Sequence, residues 1–517
     1  MHEDIESELA EYAAQQARDL GLTREQWVEP VHSNSSFKAA DRPHTTLLVS
    51  GLTIAHDTLV SAVLRGLGYT VSMLDAPDNA ALQFGKEFGN RGQCNPTYFT
   101  VGNLVKHLVH LRDVEGIPTA DIVKKFLFLT AGACGPCRFG MYVTEYRKAL
   151  RDAGFDGFRV LLFQQQGGIK QATGDEEGLA VNQDFCLGIV RAIIVGDVIN
   201  LLGYRMRPYE VTEGATDRAL TECKKILIDS FQNGKAAVPA LWRCRKELAK
   251  VQLDRTQPKP LVSVIGEFWA MTTEGDGNYD LQRFLESEGA EVDVQPVTNW
   301  LLFMVWENRH DTLMRMTLKE EDEGKKGTKG KDSRKKLAML AVAEQAIRGV
   351  FQTYANVLGL HGHHLPDMDQ IAELAKKHYD NNVRGGEGHM EVGKLIHFVE
   401  DRVNHMTISV KPFGCMPSSG VSDGVQGIVT SQYPAAIFLP IETTGDGKVN
   451  VHSRIQMMLF RARQNAQAEL KEALDKAGLD EETFKTRVSK SRRWSNPFLR
   501  PKHVMAGVAT NLAYAVA

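Results

Sequence analysis

Two cysteines, Cys134 and Cys137, stand close together in the stretch GACGPCRFGMY at positions 132–142. A C-x-x-C pair of this kind acts as a thiol–disulfide couple, contributes ligands to a metal or iron–sulfur site, or places two buried thiols in a turn. The chain has 7 cysteines in all, and the others are at positions 94, 186, 223, 244 and 415. Their odd number and wide spacing indicate thiols or ligands rather than a disulfide framework.

Apolar runs and helical patterns alternate regularly around these cysteines. Strand-like runs at 45–51, 69–74, 125–131 and 158–164 are separated by helical spacings, and the run at 261–269 restarts the alternation after a mainly helical stretch. Strands that alternate with helices indicate a parallel sheet with helices on its faces. The sequence therefore predicts an α/β protein with two doubly wound, Rossmann- or flavodoxin-like parallel-sheet domains. The second domain is interpreted as a distant repeat of the first.

Composition shifts give provisional boundaries for these domains. The charged stretch KEEDEGKKGTKGKDSRKK at 319–336 is typical of a flexible surface loop. We expect an N-terminal helix and arm over 1–43, a first α/β domain with a helical segment over 44–255, a second α/β domain with a helical and charged insert over 256–465, and a C-terminal helix and tail over 466–517.

Four of the cysteines would meet at one edge of the predicted sheets. Cys134 and Cys137 follow the strand-like run at 125–131, Cys415 follows a strand-like run of the second domain, and Cys94 precedes a helix in a Gly-rich loop. Doubly wound sheets bind their ligands outside the carboxyl ends of the strands. Four thiolates are the usual ligand count of an iron–sulfur cluster and of structural zinc.

We therefore expect Cys94, Cys134, Cys137 and Cys415 to hold a cluster in a cleft between the two domains. The remaining cysteines, at positions 186, 223 and 244, lie in helical patterns and are interpreted as buried structural thiols. The sequence leaves open whether Cys137 or Cys186 is a ligand.

Two other interpretations of the thiols remain open. A dithiol oxidoreductase would use Cys134 and Cys137 alone, because Cys-Gly-Pro-Cys between a strand and a helix is arranged as in a thioredoxin-type pair. Ala133 stands where that pair usually has Trp, and the interpretation gives Cys94 and Cys415 no role. A non-redox scaffold stabilised by zinc would use all four thiolates.

Other residues are candidates for a substrate cleft, although none is assigned a catalytic role. Gln165, Gln166 and Lys170 lie in a polar, Gly-rich stretch at the end of the run at 158–164. Arg207 lies in RMRPYE, where a guanidinium could bind a carboxylate or phosphate.

No nucleotide-binding motif is found in the chain. GEGHMEVGKL at 386–395 departs from a P-loop because Leu395 stands where Ser or Thr must hold magnesium. We therefore expect no ATP site of its own.

Composition restricts the classes of partner. The 517 residues are 43% apolar and 24% charged, with a net charge near −3, which gives no reason to expect nucleic acid or an acidic membrane as partner. We expect no apolar run long enough to span a bilayer, and the acidic N-terminus differs from a signal peptide. These features predict a cytoplasmic protein.

Several motifs together resemble a known family. GQCNPTYFTVGNL, AGACGPCRFGMYVTEYRKALRDAGF, RPYEVTEG, GEGHMEVGK and VKPFGCMPSS occur in this order over roughly 45–460. They resemble the acyl-CoA dehydratase activase-related proteins, a family similar to the 2-hydroxyacyl-CoA dehydratase, benzoyl-CoA reductase and double-cubane cluster proteins.

The resemblance implies an iron–sulfur protein for low-potential electron transfer, or for reduction or dehydration of an acyl-CoA-like or other small substrate. It implies a [4Fe-4S]-type cluster held by cysteines of both domains, with Cys94, Cys134 and Cys415 at the matching places and Cys137 as an extra candidate. It also implies a separate ATP-hydrolysing activase as electron donor. A homo- or hetero-oligomer is compatible with it, whereas a signature for a CoA thioester is not evident.

Overall fold

Two four-stranded parallel sheets organise the part of the chain that the structure describes. The structure is a computed structural model that describes residues 12, 15, 16, 19, 37–132, 137–164, 178–316, 332–383 and 386–517. Residues 1–35 form a unit by themselves, and its four described positions are helical. Residues 36–517 form the other unit and contain both sheets.

The first sheet is formed by strands β1 Thr46–Val49, β2 Thr70–Met73, β3 Phe126–Gly132 and β4 Arg159–Gln164. Its strand order is β2-β1-β3-β4, and every neighbouring pair is parallel. These strands coincide with the predicted apolar runs, because a parallel sheet covered on both faces needs continuous hydrophobic segments.

The second sheet repeats this arrangement. It consists of β5 Leu261–Gly266, β6 Glu291–Val294, β7 Met406–Pro412 and β8 Phe438–Thr443. Its strand order is β6-β5-β7-β8, so β5 to β8 take the same places in this sheet as β1 to β4 take in the first. All neighbouring pairs are again parallel. The prediction of two doubly wound α/β domains is confirmed.

Helices cover the sheets and link them. In chain order the described α-helices are α1 Ile54–Gly66, α2 Asn79–Phe88, α3 Asn95–Asp113, α4 Thr119–Lys125, α5 Tyr142–Asp152, α6 Gln183–Met206, α7 Ala215–Gln232, α8 Ala237–Leu248, α9 Phe268–Thr272, α10 Leu281–Ser287, α11 Thr298–Met316, α12 Ser333–Leu358, α13 Met368–Ala375, α14 Gly388–Glu400, α15 Met416–Gly420, α16 Gln426–Gln432, α17 Lys448–Ala477, α18 Glu481–Lys490 and α19 Val508–Val516.

Helix α6 and the turn after it correct one expectation from the sequence. The segment Gln183–Tyr209 has an apolar window with a mean hydropathy of 2.0, so by length and composition it meets the test for a membrane span. More than half of that window is buried inside the protein, where α6 packs against α1, α7 and β6. Buried core helices of soluble proteins meet the same test, so the segment is compatible with a soluble protein.

The C-terminal residues pack onto the rest of the chain. Phe484 of α18 and Phe498 are buried, and Arg255 donates hydrogen bonds to the carbonyl oxygens of Trp494 and Asn496 at 2.6 and 2.8 Å. The basic tail is therefore held by the fold. Most of the predicted flexible loop at 319–336 lies outside the described residues, and α12 begins at its end.

Candidate functional site

Cys94 lies directly before α3, at the edge where the strands of the first sheet end. Pro at the second residue of the helix suits a helix start, because Pro has no N–H to satisfy there. The Cys94 Sγ is buried, 3.1 Å from Thr97 Oγ1 and 3.2 Å from the hydroxyl of Tyr142 on α5. Glu145 holds the preceding loop, since it accepts hydrogen bonds from the side chains of Asn90 and Gln93. The thiol is therefore fixed by two helices.

Cys415 comes from the second sheet, and backbone contacts hold its loop against Cys94. Asn95 N donates a hydrogen bond of 3.0 Å to Phe413 O. Gly414 has a left-handed φ of 74°, and a Cβ at that position would lie only 3.4 Å from Cys94 Cα. Cys415 itself is 7% exposed and precedes α15. The two predicted ligand loops therefore lie side by side.

Cys137 follows β3 and precedes a 3-10 turn, Arg138–Met141. Its thiol is near enough to Cys94 and to two carboxyl groups of the second domain, Glu267 and Glu387, to be influenced by their charges. Arg138 Nη1 donates a hydrogen bond of 2.6 Å to Gly414 O, so this turn is tied to the Cys415 loop. Cys134 lies outside the described residues.

Replacing Arg138 by methionine is expected to lower the free energy of unfolding by about 1–2 kcal/mol. The variant loses a charge-assisted hydrogen bond between the two cysteine loops and leaves Gly414 O without that donor. Urea unfolding followed by circular dichroism measures the change. Arg151→Met is the control, because among the described residues Arg151 has an ion pair with Asp152 alone, on the surface. Equal stability of the two variants would show that the hydrogen bond from Arg138 to Gly414 O does not stabilise the protein.

A cluster of glutamates lies beside the cysteines, in which Glu387 and Glu391 are buried and Glu267 is half-buried. Glu267 Oε2 accepts a hydrogen bond of 2.8 Å from Ala270 N at the start of α9, and Glu387 Oε1 accepts one of 2.8 Å from Phe268 N. Glu391, on α14, lies 3.5 Å from Ser409 Oγ of β7. Burial raises the pKa of Glu267 to about 7 and that of Glu391 to about 8, and raises the pKa of Glu387 well above its usual range.

These carboxyl groups shape the chemistry of the thiols. Burial, with added repulsion from Glu267 and Glu387, raises the pKa of Cys137 to about 12 and also raises the pKa of Cys415. Burial and the charge of Cys94 raise the pKa of the Tyr142 hydroxyl. A reactive dithiol needs a lowered thiol pKa. The surroundings of Cys137 therefore work against the dithiol interpretation.

The described thiols share a region but do not converge on one point. Within residues 37–132, 137–164, 178–316, 332–383 and 386–517, no three His, Cys, Asp or Glu side chains lie close enough together to hold a metal ion. Cys134 does not enter this comparison. The residue types still fit an iron–sulfur cluster, because such clusters are held by Cys thiolates. Cys94, Cys137 and Cys415 supply thiols from three separate loops of this region.

The other candidates lie elsewhere or outside the described residues. Arg207, just after α6, forms ion pairs with Glu286 at 2.8 Å and with Asp217 at 3.5 Å. Its guanidinium is thus already engaged, and its role in a substrate cleft stays a prediction. Gln165, Gln166 and Lys170 lie outside the described residues.

The helical cysteines divide into a buried pair and an exposed residue. Cys223 and Cys244 are fully buried where α7 crosses α8, and each Sγ contacts the other residue's carbonyl oxygen. This agrees with their interpretation as structural thiols. Cys186 is exposed on α6, so its interpretation as a buried thiol is wrong. It lies among polar residues of the first helical turn.

The sequence interpretation missed Glu267, Glu387 and Glu391. A signal for two of them exists in GEGHMEVGKL, because positions 387, 391 and 394 fall on one face of a helix. All three side chains of that face are buried, with Glu387 directly before α14 and Glu391 and Lys394 on it. Glu267 has no comparable pattern and is recognisable only from the fold.

Comparison with known proteins adds no assignment. No protein-family model matches the chain, and no curated protein matches it.

Proposed function

We propose that this chain is an iron–sulfur protein that binds a [4Fe-4S]-type cluster between its two α/β domains. The observation that supports the proposal best is the contact between the Cys94 and Cys415 loops. They belong to different sheets, yet the Asn95–Phe413 hydrogen bond holds them together, with Cys137 beside them. Thiols of three separate loops at the carboxyl edges of two doubly wound sheets are a plausible cradle for such a cluster.

The residues of the chain have distinct parts in this proposal. Cys94, Cys137 and Cys415, with Cys134, would be the ligands, and Thr97 Oγ1 and the Tyr142 hydroxyl would donate hydrogen bonds to the Cys94 sulfur. Such hydrogen bonds tune a reduction potential. A bound cluster would supply one-electron transfer at low potential. Glu387 and Glu391 would hold protons on their carboxyl oxygens at neutral pH, and Glu267, with its pKa raised to about 7, would be partly protonated, which limits negative charge beside the thiolates.

The wider reaction is part of the same proposal. We propose an ATP-hydrolysing activase as the electron donor and an acyl-CoA-like or other small molecule as the substrate to be reduced or dehydrated, in the cytoplasm. This rests on the motif resemblance over roughly 45–460, supported by the two-domain α/β fold.

Metal analysis of anaerobically purified protein tests the proposal. We expect iron and acid-labile sulfide together with a broad visible absorption, and we expect Cys94→Ala and Cys415→Ala each to lose both elements. Cys186→Ala is the matched control, because that thiol is exposed and lies on another helix. It should keep the iron and sulfide of the unaltered protein.

Two outcomes would contradict the proposal. Zinc in place of iron, lost in the same two variants, would identify a zinc-stabilised scaffold. Metal-free protein in which Cys134 and Cys137 form and release a disulfide normally would identify a dithiol oxidoreductase.

A further inference from the structure

One segment of the second domain, residues 273–278 between α9 and α10, reaches across to the first domain. Glu274 Oε2 accepts a hydrogen bond of 2.5 Å from Ile54 N, at the first residue of α1. Asp276 Oδ2 accepts one of 3.0 Å from Asn79 N, at the first residue of α2. The first N–H groups of a helix have no partner within the helix, and they attract negative charge. The segment therefore connects the two domains through two helix ends.

The base of this segment is fixed in the second domain. The Tyr279 hydroxyl, directly after the segment, accepts hydrogen bonds from Thr444 N at 2.7 Å and from Gly445 N at 3.2 Å. Tyr279 has a left-handed φ of 65°, which is costly for a residue with a side chain, so the surrounding structure must hold it. Asn278 Nδ2 donates a hydrogen bond of 2.8 Å to Thr273 O, which joins the two ends of the segment. The segment is therefore a preformed turn whose tip contacts the first domain.

A cavity lies beside this segment, at the carboxyl ends of β1 and β2. Residues of both domains line it, among them Asp57, Met73, Thr100, Trp269, Thr273 and Glu274. Doubly wound sheets bind their ligands outside the carboxyl ends of the strands, so a small molecule is expected at this place. The volume of the cavity is only about 20 Å³, which is room for one water molecule. A larger molecule therefore enters only if part of the wall moves.

The segment is the part of the wall that can move most easily. Its two contacts with the first domain are exposed to solvent, where a carboxylate at a helix end contributes little. Other contacts between the domains are buried, such as the hydrogen bonds that Asp197 accepts from Val297 N and Thr298 N. Regions that open locally are those with few buried contacts. The domains can thus stay together while the segment lifts.

We propose that residues 273–278 are a latch, which opens to admit a small molecule to the cavity and closes over it. Opening breaks the hydrogen bonds of Glu274 and Asp276 to the ends of α1 and α2, while the base at Tyr279 stays in place. Because one preformed turn carries both carboxylates, the two contacts break together. The proposal concerns access to this cavity, and it does not depend on the iron–sulfur cluster or on the cysteines.

Alkylation of a thiol in the cavity wall tests the latch. Full-length protein with Thr100→Cys is treated with iodoacetamide, and mass spectrometry of its peptides gives the rate at position 100. We expect added Asp276→Ala to raise this rate about two- to fivefold, the effect of one carboxylate at a helix end. Asp276 is not among the described residues of the wall, so its removal does not widen the cavity. The matched control is Asp480→Ala, because that carboxylate also caps a helix, α18, away from the described wall.

Hydrogen exchange of the protein without the introduced thiol gives a second test. In Asp276→Ala the Ile54 amide keeps its own partner, Glu274, so faster exchange of the peptide that contains Ile54 is expected only if the segment opens as a unit. This measurement remains valid if Thr100→Cys does not fold.

Two results would overturn the proposal. One is an alkylation rate at position 100 that Asp276→Ala leaves unchanged, or that rises no more than the labelling of the buried Cys223, which would indicate loosening of the whole fold. The other is exchange of the peptide with Ile54 at the same rate in Asp276→Ala and in the unaltered protein, because the two contacts would then break independently.

Discussion

Replacing Asp197 by alanine is expected to lower the free energy of unfolding by about 3–5 kcal/mol. Asp197, on α6, is 3% exposed, and its carboxylate accepts hydrogen bonds from Val297 N at 2.8 Å and Thr298 N at 2.6 Å. It also lies 3.2 Å from His56 Nε2, and these interactions raise the pKa of His56 against the effect of burial. Removing one partner of a buried charged network leaves the other buried groups without hydrogen-bond partners. Such a loss destabilises a protein much more than the loss of a surface ion pair.

Urea unfolding of the Asp197 variants measures this effect. Asp197→Asn keeps the size and an acceptor oxygen, so we expect it to retain more stability than the alanine variant. Asp113→Ala is the control, because in the described part of the chain Asp113 pairs with Arg112 alone, on the surface. This variant should unfold like the unaltered protein. A loss in Asp197→Ala no larger than in that control would show that this network contributes little.

Replacing Glu391 by glutamine is expected to stabilise the protein by about 3 kcal/mol at pH 7, and by more at higher pH. Burial raises the pKa of Glu391 from 4.5 to about 8, so between these values the folded state holds a proton that the unfolded state has released. Stability must then fall as pH rises through this interval. One pKa unit corresponds to about 1.4 kcal/mol, and glutamine removes the contribution of this site.

Unfolding curves from pH 4 to pH 9 test the sign of this effect. The groups that act on Glu391 are Glu267, Lys411 and the hydroxyls of Ser409 and Ser418, and Glu387 lies one helical turn away on the same face. Since Glu267 and Glu387 also have raised pKa values, the variant should keep a weaker fall of stability with pH. Glu373→Gln, an exposed change on α13, is the control. Parallel curves for Glu391→Gln and the unaltered protein would contradict the raised pKa.

The sequence carries enough information to predict the architecture. Each strand of the first sheet and the first strand of the second coincide with a predicted apolar run, and the helix that follows Cys94 begins at Asn95 as its Pro predicts. The position of Cys415 after a strand of the second domain also follows from periodicity. These features are local, because a strand or helix boundary depends mainly on neighbouring residues.

The surroundings of the site are not local and could not be predicted. Arg207 is satisfied by Glu286, which lies 79 positions further along the chain. Glu267 meets the cysteines only because β5 ends beside β7. Ionisable side chains in a sequence are usually exposed, so a buried carboxylate or Lys394 is recognised only when the fold shows what covers it.

The repeated strand order has a consequence for the history of the molecule. β3 and β7 occupy the same place in their sheets, and a cysteine loop follows each of them. Such a pattern is what duplication of one ancestral α/β unit leaves behind. Once the copies are joined in one chain, each can diverge. The first now supplies the hydroxyl groups of Thr97 and Tyr142 around Cys94, and the second supplies the three glutamates with a raised pKa, Glu267, Glu387 and Glu391. The two halves of the site have thus become different, with hydroxyl groups around the thiol on one side and proton-holding carboxyl groups on the other.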